Sequence, residues 1–421
     1  MKFFSMLSSI VLLLASASGQ SSQTLFSFTG VDGEQPFGLI ADKAGNFYGV
    51  TVGNGGSLNC CGTVYELTHV SGQWTQIVLH QFTGGLDGAS PIGTLASDSH
   101  GNLFGVTQSG GLQKGRCYSN CGTVFELSPQ SGGGWSFAQI YAFRGNQAGD
   151  GEEPDAGVTV SSSGDIYGTT ESGGVASPEP NCSVYGCGTV FKLSRKANGW
   201  SETVLYKFMA GQDGAYPRGP VVFDSHRNLI GTTSQGGGGH CSIGYGLIGC
   251  GTVFQLASSG GAWTEKVLHR FHGDDGFIPY QGLVFDAAGN LYGATNLGGA
   301  NQVGAVFELS PQAGGGWNEE TLYSFMGFSD GIFPAGGLSI DSTGNLYGTA
   351  SSAGANDAGT IFKLTPQSGG SFSFSVVMTL NGTSDGSFPD GNLLLDSAGD
   401  LYGTAGFAGA NGYGDVFKIT P

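Results

Sequence analysis

The chain has 421 residues, 79 of them glycine, with 11% charged residues and a formal net charge of −17. So acidic a balance excludes a nucleic-acid or anionic-membrane partner, whose phosphates need basic counterparts. Hydrophobic residues at 39% and aromatics at 11% are ample for packed cores, so the glycine reads as turn punctuation and not as disorder.

Residues 1–19 hold one Lys, an apolar run from Phe3 to Ala15, and small residues at Ala15, Ala17 and Gly19. That is the layout of a secretory signal peptide, and the run is too short to prefer spanning a bilayer. The final stretch, "GDVFKITP", has no apolar tail. The expectation is an exported, secreted monomer with no visible anchor and no membrane contact once the leader is removed.

From residue 20 to 421 one unit recurs. "QTLFSF" opens the series, and four elements then alternate. "DGxxPxGxLxxD", as at Asp330 to Asp341, comes first. "GNLYGTT" follows, starting at Gly45, Gly101, Gly164, Arg227, Gly289, Gly344 and Gly399. "GTVFEL" starts at Gly62, Gly122, Gly188, Gly251, Gly304, Gly359 and Gly414. "WxxxxLxxF" ends at Phe82, Phe143, Phe208, Phe271 and Phe325, with weaker versions ending at Phe28 and Leu380. Each segment is short, β-branched or aromatic, and bounded by Gly, Asn, Asp and Ser, so each predicts a strand. Seven copies of four strands, at a period of 55 to 63 residues, predict an all-β, seven-bladed β-propeller. A solenoid would need capping repeats, and none is visible. The lone fourth element at the start and the third element at the end instead predict a ring closed by the N-terminal strand joining the last blade. The link between blades must cross three strand spacings, roughly 14 Å. The "TGGLDGASP" type suits that, which orders each blade "GLVFD" innermost, then "NLYGTT", "GTVFEL" and "WxxxxLxxF" outermost. The inter-blade loops and the loops between the second and third strands then share one face.

The tandem "GNLYGTT…GG…GTVFKL" unit resembles the GloVer (Gloeo/Verruco) repeat of exported bacterial proteins, the choice-of-anchor tandem repeat group. The resemblance covers nearly all of the chain after the leader. It implies an extracellular location and carries no catalytic residue. Some members have a sorting signal after the repeats, and none follows here before Pro421.

The eight cysteines are Cys60, Cys61, Cys117, Cys121, Cys182, Cys187, Cys241 and Cys250. Cys61, Cys121, Cys187 and Cys250 each precede a "GTV" strand, which suggests four local disulfides in blades 1 to 4. Whether adjacent Cys60 and Cys61 bridge each other stays open, because that geometry is strained. Zinc is a poor rival without a His pair at ligand spacing. The loops these bridges staple are longer than their counterparts in blades 5 to 7 and present Lys114, Arg116, Tyr118, Tyr185 and Tyr245, a set suited to binding. A ring of Asp-Gly pairs, Asp32 to Asp385, reads as turn caps first and as a calcium ring second. Asp274 beside Asp275 is the local acidic surplus that suits a metal best, with calcium the ion and no other cofactor expected. A second Asp series in "DxxGN" turns reads as structural. The Trp series reads as blade-to-blade packing before sugar stacking. No nucleophile elbow, zinc motif or phosphate loop is present.

The sequence therefore points to a non-catalytic binding or scaffold protein whose partner is a glycan or an extracellular protein. A secreted hydrolase or lyase using acidic groups at the channel mouth is the alternative. A structural envelope or matrix protein is the third.

Overall fold

The computed structural model describes residues 21–53, 61–111, 121–176, 182, 185–242 and 249–421. The predicted leader lies outside them. Among the described residues seven antiparallel blade sheets follow one another along the chain, each ordered as the sequence predicts, and a small two-stranded pair, Gly151–Glu152 with Ser172–Gly173, lies beside them. Blade 4 is typical, with strands Val222–Phe223, Leu229–Thr233, Thr252–Ser259 and Ala262–Arg270 from the axis outward. Blade 7 is made of Leu394–Leu395, Leu401–Ala405 and Asp415–Thr420, with Ser21–Ser27 as its outer strand. Ser21 pairs with Thr420 and Ser27 with Asp415, so the two ends of the propeller close the ring.

The "GLVFD" end faces the axis, where consecutive blades touch. A Cβ at Gly38 would meet Thr94, and one at Gly391 would meet Gly38, so the contacts run from blade 1 to 2 and from blade 7 back to 1. Gly337 N donates to Asn392 Oδ1 at 2.8 Å between blades 6 and 7.

The repeated words have a packing cause. The aromatic of "GTVF" lies over the glycine of "LYG" in the paired strand, as Phe254 over Gly231, where a Cβ would stand 2.7 Å from the ring. All seven copies share this pairing, with Tyr65 replacing Phe in blade 1. The last Phe of "WxxxxLxxF" reaches into the next blade and meets that aromatic edge-on. Phe208 lies 5.1 Å from Phe254 and Phe271 lies 5.1 Å from Phe307. Leu380 fills that place before Phe417 in blade 7. The tryptophans do the same at the rim: Trp135 packs on Tyr48 and Trp200 on Phe104, each across a blade boundary. Each hydrophobic cluster therefore spans two blades, and burial of these aromatics holds neighbouring blades together at roughly 1.5–3 kcal/mol per side chain.

The "DxxGN" turns are closed by their own Asp. Asp341 Oδ1 accepts the N–H groups of Thr343 and Asn345, and Oδ2 accepts Asn345 Nδ2. Burial pushes the Asp341 carboxyl up, but these hydrogen bonds outweigh it and hold it at about 2.

Candidate ligand site at the channel mouth

The inter-blade loop has fixed words and free words. Its Pro sits on the glycine of the preceding blade's "GTV" strand. A Cβ at Gly251 would stand 2.8 Å from Pro279 Cδ. The residue before each Pro takes a left-handed backbone: Gln35, Ser90, Glu153, Tyr216, Ile278, Phe333 and Phe388, with φ between 54° and 57°. Non-glycine residues pay roughly 1–3 kcal/mol for that conformation and keep it where surroundings enforce it. The enforcement is visible. Each of the seven donates its N–H to the carbonyl preceding the "GTV" glycine of the previous blade, as Tyr216 to Cys187 at 2.8 Å and Phe333 to Val303 at 3.1 Å.

Clamped in this way, the variable neighbours of the Pro face the axis. The residues after it are Phe37, Ile92, Asp155, Arg218, Tyr280, Ala335 and Asp390. Six of these seven, all but Arg218, line a cavity of about 630 Å³. Val52, Asn296, Ser351 and Gly406, which follow the "GTT" of their second strands, complete part of the wall. A cleft of about 780 Å³ lies between blades 2 and 3 on the opposite face, but it is lined by turn residues such as Ser97 and Ser161.

The cavity wall has two halves. Blades 6, 7 and 1 give Phe333, Phe388, Phe407, Phe37 and Val52. Phe388 and Phe407 stand edge-on at 5.5 Å and are 39% and 43% exposed. Blades 2 to 5 give a charged network. Arg218 pairs with Glu171, donates to Tyr280 Oη at 3.0 Å, stacks over that ring, and lies 3.9 Å from Asp155. Gln108 Nε2 donates to Asp155 Oδ1 at 3.0 Å. Burial pushes the Asp155 carboxyl up to about 7, with Glu171 adding to the shift and Arg218 opposing it. Asp390 stands apart, lining the cavity on the apolar side. Burial alone pushes its carboxyl up to about 7.

The profile of the Gloeobacter/Verrucomicrobia repeat matches residues 11–245, 114–316 and 241–421. The chain belongs to that family. As a fold, this repeat propeller is similar to virginiamycin B lyase from Staphylococcus aureus. The selenomethionine-substituted lyase superposes with a TM-score of 0.56 at 13% identity, over 96% of this chain and 99% of that one. A catalytically inactive variant of the same lyase with quinupristin gives 0.50 at 13% identity, over 96% and 100%. Comparison with curated proteins finds no match.

The residues singled out in the sequence fall at several places in this repeat propeller. Lys114, Arg116, Tyr118 and Tyr245 lie outside the described residues, as do Cys60 and Cys117. Tyr185 is 39% exposed, and its carbonyl accepts the Gly173 N–H at 2.7 Å. Cys182 bonds Cys187 and Cys241 bonds Cys250, both local pairs. Cys61 and Cys121 are disulfide-bonded as well. The staples also bear on the mouth. The carbonyls of Cys61, Cys121, Cys187 and Cys250 are the acceptors that hold Ser90, Glu153, Tyr216 and Ile278 in their left-handed conformation.

The Asp-Gly carboxylates turn away from the axis and toward the outer strands. Asp213 Oδ2 accepts Met209 N–H and Tyr206 Oη–H, both at 3.0 Å, and Asp330 repeats this with Met326 and Tyr323. Asp275 caps its turn by accepting the His272 N–H and meets His269 Nε2 at 2.8 Å. With Glu319 of the next blade these make a rim triple whose donor atoms lie within 4.8 Å of one another. Asp274 is exposed and outside that triple.

The mouth residues carried no signal as a motif, because each blade contributes them 55 to 63 residues apart. The signal that could have found them is the fixed Pro with unlike neighbours in every copy.

Proposed function

We propose that this is an exported binding protein whose ligand sits in the channel mouth, on the face that carries the stapled loops. The observation that carries the reading is the two-sided cavity, with aromatic rings on blades 6 and 7 and, opposite, Asp155 and Tyr280, which the Arg218–Glu171 pair backs from outside the lining. A glycan terminus suits that chemistry, since sugar C–H faces stack on aromatic rings while hydroxyls exchange hydrogen bonds with carboxylate, guanidinium and amide groups. Export is supported by the leader-like first residues and by disulfides in four blades, which persist in oxidising compartments. No helix among the described residues is long and apolar enough to cross a membrane.

The second reading is a secreted hydrolase or lyase. Asp155 and Asp390 favour it, because carboxyls near 7 suit general acid–base work. The lyases of similar fold are too distant in sequence to lend their chemistry.

A glycan array tests the first reading. Wild type is expected to retain a defined set of glycans, and Phe388→Ala to lose them by about tenfold or more while keeping the wild-type melting temperature. An array with no wild-type hit, or hits that Phe388→Ala leaves intact, contradicts it. Turnover of a retained glycan that disappears in Asp390→Asn moves the assignment to the enzyme.

A further inference from the structure

Asp415 occupies a position where six other blades place Thr63, Thr123, Thr189, Thr252, Ala305 and Thr360. In blades 1 to 4 that threonine shares a 2.8 Å hydrogen bond with a threonine of the second strand. In blade 6 Thr360 Oγ1 donates instead to the Asp330 carbonyl at 2.9 Å. In blade 7 the second-strand partner is Ala405, which offers nothing.

The Asp415 side chain is nonetheless 0% exposed, and neither carboxyl oxygen meets a donor in full hydrogen-bond geometry, the Ser27 hydroxyl being close enough only to oppose the effect of burial. It lies beneath the Asp385–Gly386 turn, with Oδ2 3.3 Å from where a Gly386 Cβ would stand. The groups acting on it are Ser27, its register partner on the closing strand, and the Asp385 carboxylate. Neither is a cation. Shape does not demand Asp here, because threonine or alanine serves six times over. A buried, unpaired carboxylate costs several kcal/mol unless a proton or a cation neutralises it. One proton leaves the second carboxylate of the Asp415 and Asp385 pair charged, whereas one divalent ion neutralises both.

We propose that Asp415 and Asp385, with Ser27, form a site for a hard divalent cation, calcium, that locks the seam where the N-terminal strand closes the ring. The donor set is all oxygen, which suits calcium and not zinc, and the remaining ligands would be backbone carbonyls and water. The ion would tie three segments at one point: the turn before blade 7, its third strand, and the end of Ser21–Ser27. Thr24 Oγ1, which donates to the Ser384 carbonyl at 2.8 Å, already draws the first and last of these segments together.

The test uses the full chain at neutral pH. Calcium added to EDTA-treated wild type is expected to raise the melting temperature by about 3 °C or more, and to leave Asp415→Thr unmoved. Asp415→Thr, which restores the residue of the other blades, is expected to melt in EDTA no lower than wild type does. Glu319→Gln, which removes the rim triple, keeps the calcium response. Calorimetric titration of wild type gives one calcium site per chain, absent from Asp415→Asn. Four results overturn the proposal: wild type indifferent to calcium, an equal shift in Asp415→Thr, a calcium site that survives in Asp415→Asn, or a response lost in Glu319→Gln.

Discussion

Phe254→Ala lowers the unfolding free energy by about 3–5 kcal/mol, the range for deleting a fully buried aromatic. The size follows from where the ring sits. It is 0% exposed, covers Gly231 in its own blade and receives Phe208 edge-on from the blade before. Its removal leaves a void beside a backbone that cannot collapse, because Gly231 has no side chain to fill it and the Phe254 strand is paired with a neighbour on each side. The aromatic chain that joins blade 3 to blade 4 is broken with it. A urea titration followed by tryptophan fluorescence measures the change. A loss below about 1 kcal/mol would show that blade contacts do not depend on these rings. Phe388→Ala is the control: that ring is 39% exposed at the mouth, and its loss is expected to cost about 0.5 kcal/mol or less.

Arg218→Met destabilises the protein by about 3 kcal/mol at pH 8, the lower end for removing one member of a buried ion pair, since the Arg218 side chain is 29% exposed. Methionine keeps much of the volume and removes the charge, so Asp155 and Glu171 lose their counter-ion. The loss is expected to depend on pH. Burial, with Glu171 adding, holds the Asp155 carboxyl at about 7 even with Arg218 present, so the folded state binds a proton that the unfolded chain releases near its ordinary 3.8. Such a group stabilises the fold at acid pH and loses that contribution as pH rises from about 4 to 7. Without the guanidinium the carboxyl moves further up, so the deficit stays level while both folded forms keep their proton and grows above about pH 7, where wild type releases it and the variant does not. Melting curves at pH 5 and pH 8 read this directly. A deficit equal at both values, or larger at pH 5, would mean that Arg218 acts by packing and not by charge.

Much of the fold is legible in the sequence because its causes are local and repeated. Strand order, ring closure by Thr24–Phe28, the Asp-closed "DxxGN" turns and the Cys182–Cys187 and Cys241–Cys250 pairs each follow from words seen in several copies. The mouth is less legible for the opposite reason. Asp155, Tyr280 and Asp390 come from three blades and line one cavity only when the ring closes. The longest loops draw attention first, yet the residues that line the cavity flank a proline in loops of ordinary length. The Asp-Gly ring shows a fixed position serving its own turn. Its carboxylates stand at the right radius in the sequence pattern, but each is taken up by a backbone N–H of its own turn, as Asp213 is by Met209. Asp415 is the converse, since a single departure from a repeated threonine becomes conspicuous once burial and missing partners are known.

The central claim is that the unlike neighbours of the seven ring prolines form the ligand site. A crystal structure of the full chain soaked with a library of monosaccharides and small polar aromatics tests it most directly. The account predicts that bound fragments cluster in the 630 Å³ mouth cavity, stacked on Phe333 or Phe388 and within hydrogen-bond distance of Asp155, Tyr280 or Asp390. Fragments gathered on the outer rim or on the opposite face, with the mouth left to solvent alone, would contradict it.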